Sequence, residues 1–191
     1  MSIKIPAALE PVEAVKGKVD GALLHVKTFA GETTLVIAGE RVADVLKYLK
    51  GGPGLAYNFL SDITAVDYYP ADYGDEYDGD ETDFRPERFG VSWHLYSMLY
   101  NRRIRVKAFA MEEEPILPTS TTLWANADWL EREIMDMMGV QFEGHPDPRR
   151  LLMPDDWHGH PHRRDYPLGY ETPMFSFNVE EIAKSKPFAK E

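Results

Sequence analysis

Phe89-Gly90-Val91-Ser92-Trp93-His94-Leu95-Tyr96-Ser97-Met98 carries the pattern that decides the fold. Phe89, Val91, Trp93 and Leu95 fall on one side of an extended chain, and Gly90, Ser92, His94 and Tyr96 on the other. A period of two held over this length predicts a strand with one face in a core. Arg102 to Phe109 repeats it, with Ile104, Val106 and Ala108 set against Arg103, Arg105 and Lys107. Phe59 to Tyr69 is rich in β-branched and aromatic residues and reads as a further strand. Toward the N-terminus, Leu23 to Phe29 and Thr33 to Ile37 read as two strands joined by the short Gly-containing loop Ala30-Gly31-Glu32. Between and around them the period changes to that of a helix. Ala7 to Val19 forms one helix, stopped by Gly21. Glu40 to Lys50 forms a second, with Val42, Val45, Leu46 and Leu49 as its stripe, ended by Gly51-Gly52-Pro53-Gly54. A third runs from about Asn126 to Met138, with Gly139 as its stop. The order α-β-β-α-β-β-β-α predicts an α+β domain over residues 1–139 with a mostly antiparallel sheet.

The chain has 191 residues, which fits one ordinary domain with room for a real core. Its 21 basic and 32 acidic residues give a formal charge of −11, which argues against a general nucleic-acid binder. No apolar run approaches a membrane span. The sequence contains no cysteine, so disulfides, thiol catalysis and Cys-ligated zinc or iron–sulfur clusters are excluded. The N-terminus lacks the basic start and apolar core of a signal peptide and is too acidic for a transit peptide.

Chemistry-bearing motifs are scarce. There is no G-x-G-x-x-G, no G-x-x-x-x-G-K-[ST] and no nucleophile elbow. His145, His158, His160 and His162 lie near Asp147, Asp155, Asp156 and Asp165, but in irregular chain without metal-ligand spacing, so they read as loop histidines; the rival is a metal-dependent enzyme. The run Asp72 to Asp83 fails the calcium-loop pattern in both registers and reads as a solvated loop. Arg103, Arg105 and Lys107 form a basic stripe on a strand face, suited to pairing with acids such as Glu112 to Glu114 or to docking a partner. Asp128, Arg132 and Asp136 stack at i, i+4 spacing as on a solvated helix face.

After Gly139 the texture changes. Pro146, Pro148, Pro154, Pro161, Pro167 and Pro173 leave little room for regular structure. Yet Leu151, Leu152, Met153, Trp157, Tyr166, Leu168 and Phe175 are too apolar for a disordered tail. Residues 140–191 are therefore predicted to be an extended, proline-rich segment lying across a surface, either its own domain's or a partner's. The dense Arg and aromatic content is that of interface anchors.

The ordered residues Glu131-Arg132-Glu133, Asp136, Gly139, Phe142 to Asp147, Arg149-Arg150, Pro154-Asp155-Asp156, Gly159-His160-Pro161 and Arg164-Asp165-Tyr166-Pro167-Leu168 resemble the 30 kDa subunit family (the C subunit) of proton-pumping NADH:quinone oxidoreductase, respiratory complex I. More loosely the resemblance spans nearly the whole chain, through Leu60 to Tyr68 and Pro115 to Thr119. Met137-Met138 stands where Leu-Phe is common, Pro148 where Leu is common, and the acidic run looks like an insertion. The resemblance implies a two-layer domain with helices on one face of a mixed sheet, and an extended C-terminal segment. It implies a structural subunit of the hydrophilic arm, peripheral at the cytoplasmic face of a cell membrane. Its neighbours would be the D subunit of that complex and the one that carries the terminal iron–sulfur cluster, with no flavin, cluster, quinone or metal held by this chain. A related membrane-bound hydrogenase or photosynthetic assembly uses an equivalent subunit. On this reading Glu131, Arg132, Glu133, Asp136, His145, Arg149, Arg150, Trp157, Arg164, Asp165, Tyr166 and Leu168 act at subunit interfaces and none is catalytic.

Overall fold

The alternating stretch at Phe89 becomes strand β4 (Phe89–Ser97), and its apolar side is wholly buried. It pairs antiparallel with β3 (Phe59–Asp67) on one edge and β5 (Arg102–Ala110) on the other, so that Trp93 lies opposite both Ile63 and Val106. This computed structural model describes residues 6–69 and 84–167. The hairpin β1 (Leu23–Phe29) and β2 (Glu32–Ile37) joins the sheet through β2, which runs parallel to β5. The strand order is β1-β2-β5-β4-β3, a mixed sheet in which every pairing but one is antiparallel. The hairpin turn holds two residues, Ala30 at φ 51° and Gly31 at φ 79°. Two positive φ values match the right-handed twist of the flanking strands, and only Gly adopts them without strain.

Three helices cover one face. α1 (Pro11–Lys18) starts at a proline whose missing N–H would have had no helical partner. It is shorter than the periodicity predicts, because the backbone at Glu10 is still extended. A single 3₁₀ turn, Gly39–Arg41, leads into α2 (Val42–Gly51), whose stripe Val42, Val45, Leu46 and Leu49 is fully buried. Gly52 ends α2 in a place only glycine fits, since a Cβ would lie 2.7 Å from the Tyr48 carbonyl oxygen. The third helix, α3 (Ala127–Met138), lies against β3. All three join Leu35, Ile37, Ile63, Phe89, Val91, Trp93, Leu95, Ile104 and Val106 in one core, which gives the predicted α+β fold.

Two short strands escape a reading based on period. β6 (Ile116–Pro118) and β7 (Gln141–Glu143) pair in parallel and carry Leu117 and Phe142 into the core beside Val140. The chain after Gly139 thus first returns to the domain, and its extended course begins past Glu143. On the other sheet face the described residues place no helix and form a concavity of about 610 Å³ lined by Lys27, His94, Arg105 and Lys107. Among the described residues no ion pair joins the basic stripe to Glu112, Glu113 or Glu114, and other partners are taken. Arg105 meets Glu32 at 3.1 Å and the Lys107 amine donates to the Tyr68 hydroxyl at 2.6 Å, while Glu112 lies past the end of β5 and receives Arg88. The acidic run at 72–83 and residues from Leu168 onward lie outside the described residues.

Candidate docking site

The row Asp128, Arg132, Asp136 on α3 is not a solvated face. Arg132 and Asp136 are buried, and so is Glu131. What covers them is the chain's own segment, residues 144–167. Asp136 accepts three consecutive backbone N–H groups on one oxygen, from Leu151, Leu152 and Met153 at 3.0, 2.7 and 2.8 Å. Its other oxygen receives the Arg150 guanidinium at 2.6 Å. Burial pushes the Asp136 carboxyl up, but these bonds outweigh it and hold it below the usual carboxylate range. One turn earlier, Arg132 donates to the carbonyls of Arg149 and Arg150 at 3.1 and 3.2 Å and stacks over Trp129. Arg150 reaches on to the carbonyls of Trp157 and Gly159, closing the loop around itself. Glu131 faces inward, accepting from the Ser120 N–H and hydroxyl at 2.7 and 2.6 Å and from the Thr119 hydroxyl at 2.6 Å. Trp93 donates its indole N–H to the same Ser120 oxygen, which links the clasp to the core.

The segment also finishes α3. A helix leaves its last carbonyls without intrahelical partners. Here the His160 ring Nδ1 sits 2.9 Å from the Asp136 carbonyl, the His162 N–H donates to Met137 O at 2.9 Å, and Arg163 Nε donates to Met138 O at 2.7 Å. Arg163 also brings positive charge to the negative end of the helix dipole. Gly139 makes this approach possible. Its φ is +76°, and a Cβ there would lie 2.6 Å from both His160 and Arg163 atoms.

At the far end of the sheet Arg88 gathers the third anchor. It is 2% exposed and grips Asp67 through two bonds of 2.8 Å. It also meets Glu112 at 2.5 Å and Asp165 at 3.0 Å, and stacks on Tyr69 and Phe89. The Arg164 N–H donates to Asp67 at 2.9 Å. Bonds from Arg88, Tyr69 and Arg164 overcome the effect of burial and hold the Asp67 carboxyl below its usual range. Asp67 raises the Arg88 guanidinium further above its ordinary value.

The remaining predicted residues sort plainly. The His145 side chain is buried: its Nδ1 accepts the Asp147 N–H at 3.1 Å, and its Nε2 lies 3.2 Å from the Asp128 carbonyl, pinning the Gly144 turn to α3. Arg149 projects into solvent and pairs with Asp147 at 2.7 Å, which lowers the Asp147 carboxyl to about 2. Trp157 is half-buried, and its carbonyl belongs to the Arg150 loop. The Tyr166 ring packs on Gly159. Glu133 is exposed and makes no hydrogen bond or ion pair with the described residues. Asp67, Arg88, Glu112, Thr119, Ser120 and His160 complete the site and were not among the predicted residues. His160 stood in Gly159-His160-Pro161, Asp67 in Leu60 to Tyr68 and Thr119 in Pro115 to Thr119, all as parts of the resemblance, and Glu112 was named only beside the basic stripe; Arg88 and Ser120 carried no signal. Among the described residues no three His, Asp or Glu side chains group as metal ligands, and no helix is long and apolar enough to cross a membrane.

Fold and site together define a small α+β domain whose polar signature residues fasten its own proline-rich segment, the build of an assembly subunit. Residues 35–172 match the family described as respiratory-chain NADH dehydrogenase, 30 Kd subunit, and the chain belongs to that family. It is 39% identical to the NADH-quinone oxidoreductase C subunit of Roseiflexus castenholzii over the full length of both chains. It is 42% identical to the C subunit of Geobacter sulfurreducens over 81% of this chain and 86% of the relative. Among solved structures, the trypsin-resistant fragment (1-134) of Nqo5 is 33% identical, with a TM-score of 0.57 over 72% of this chain and 99% of the fragment. The fold is shared with a chain of the membrane-bound sulfane sulfur reductase, an archaeal respiratory membrane complex, at TM-score 0.62 over 94% of both and 20% identity.

Proposed function

We propose that this chain is a non-catalytic, cofactor-free subunit of the hydrophilic arm of an NADH:quinone oxidoreductase. In this role it braces the quinone-reducing module beside the D subunit and the one that carries the terminal iron–sulfur cluster. Electrons pass through those neighbours, and the chain sits peripherally at the cytoplasmic face of the membrane. The observation that carries the reading is the fate of the signature side chains. Arg132, Asp136, His145 and Arg150 are engaged in holding segment 144–167 to α3, and Glu131 is taken up by Ser120 and Thr119, which leaves them no open site at which to meet a substrate. The absence of cysteine and of any nucleotide-binding loop agrees with it.

The test is purification of the assembly through a tag on this chain, with its companions identified. NADH-oxidising and quinone-reducing subunits are the expected companions; those of a hydrogenase would move the chain to a related assembly. Arg150→Ala and Asp165→Ala are expected to lower the amount of assembled complex while quinone reductase rate per assembled complex stays near normal. Full assembly with lost turnover would place the residue in the reaction path.

A further inference from the structure

Glu133 is the member of the Glu131-Arg132-Glu133 signature that the docked segment leaves over. Its surroundings give it a use. Beside it runs a groove of about 250 Å³ between α3 and β3, lined by Ile63, Ala65, Ile134 and Met137, by His162 of the docked segment, and by Asp62 and Glu133. β3 is an edge strand of the sheet. Alternate residues of an antiparallel edge strand turn their N–H and C=O groups away from the neighbour. The Tyr68 N–H donates to the Arg88 carbonyl, so Val66, Thr64 and Asp62 face β4, and Ile63 and Ala65 turn outward. The Ile63 N–H agrees, bonding the Asp62 carboxylate instead of β4.

The edge is covered at both ends. Asn126 donates to the Leu60 carbonyl and Trp124 to that of Asn58, while Arg164 sits on Asp67. Between them, no described residue pairs with the outer side of Asp62–Val66, a window of about 17 Å at ~3.4 Å per residue. An open edge is a template for one more strand. The two carboxylates decide which strand. A second copy of this chain would bring Asp62 and Glu133 against their own kind, on a molecule of formal charge −11. A strand bearing Lys or Arg, with an apolar residue for Ile134 and Met137, is complementary.

We propose that the β3 edge and the α3 groove receive an extended, basic segment of a neighbouring subunit, which pairs with Ile63 and Ala65 and places a cation between Asp62 and Glu133. This rests on the subunit reading above and names a contact surface for it.

The test is hydrogen exchange at the Ala65 amide, in the isolated full-length chain and in the complex purified through its tag. Exchange is expected to be fast in the isolated chain and at least about tenfold slower in the complex. No slowing in the complex overturns the proposal. So does protection already present in the isolated chain, which would mean that the chain's own residues or a second copy fill the edge. Two full-length variants separate backbone from charge. Ala65→Pro removes an outward N–H that an edge strand can lose without unfolding, and Glu133→Lys reverses the charge on an exposed helix position. Each is expected to reduce the chain recovered in the complex by roughly tenfold while leaving its own circular dichroism unchanged. If Ala65→Pro fails to fold, Glu133→Lys and the exchange measurement decide. Normal recovery of Glu133→Lys overturns the proposal. A wild-type chain that recovers no companions defeats the subunit reading itself, a distinct result.

Discussion

Arg88 and Asp136 are the residues on which the site turns, and both act through buried charge. Removing one member of a buried pair leaves the other unpaired at a typical cost of about 3–5 kcal/mol. Arg88→Ala strands Asp67 in that way and is expected to lower stability by about that amount in denaturant unfolding. Asp136→Asn keeps one acceptor oxygen and turns an amide toward the donors it should receive. It is expected to release residues 150–153 with little effect on the sheet, as read by amide exchange at Leu151, Leu152 and Met153. The same residues set a pH dependence. Asp67 and Asp136 have folded values below the unfolded ~3.9. Their stabilisation is present above that pH and is lost as pH falls through the lower folded values. His160 is also held low, by burial, so the folded state favours its neutral ring and weakens as pH falls through about 6.5. The protection factors of Leu151–Met153, with the intrinsic pH dependence of amide exchange divided out, are therefore expected to fall on acidification, first below about 6.5 and again below about 3.9, and factors that stay flat through both ranges would refute it. The sequence displayed Asp128, Arg132 and Asp136 as a helix row, but helical spacing is the same for a solvated face and a buried one. What buries the row comes from 14 residues downstream or more, beyond the reach of any local pattern.

Elements were legible where their period ran long. Phe89–Ser97 and Arg102–Ala110 form as their alternation predicts, because each spans nine residues with one face in the core. β6 and β7 hold three residues each, too few to show a period, and parallel pairing between them needs contacts at long range. Turn chemistry was half legible. The Ala30-Gly31 loop was visible, but not that Ala30 itself takes φ 51°. An Asn tolerates that conformation better than Ala. Ala30→Asn is expected to stabilise the chain by roughly 0.5–1 kcal/mol, seen as a higher midpoint in thermal unfolding. At the other end of the fold, Gly139→Ala must both hold a positive φ and drive its Cβ against His160 and Arg163. It is expected to loosen the segment by about 1–3 kcal/mol, with faster trypsin cleavage at Arg163 and Arg164 and unchanged cleavage in the sheet.

At the scale of the molecule, two kinds of adhesion share one chain. The sheet and helices are held by apolar burial: Trp93, Phe89, Leu35 and Leu46 are fully enclosed. Segment 144–167 is half-buried or exposed apart from the enclosed His145 side chain, and its attachment consists chiefly of hydrogen bonds and ion pairs to α3, Asp67 and Arg88. Net hydrogen bonds contribute about 1 kcal/mol each, less than a buried Leu or Phe. Polar attachment of this kind opens without unfolding the core. The segment should therefore be the first part of the isolated chain to detach, and high salt should hasten it by screening its partly exposed ion pairs. Limited trypsin digestion of the isolated chain tests this. The expected product is a resistant core ending at Arg149 or Arg150, past β7 and its buried Phe142, and its release should quicken with added salt. First cleavage within Arg102-Arg103-Ile104-Arg105, on the central strand β5, would show instead that core and segment melt together and that the polar clasp is as strong as the apolar core.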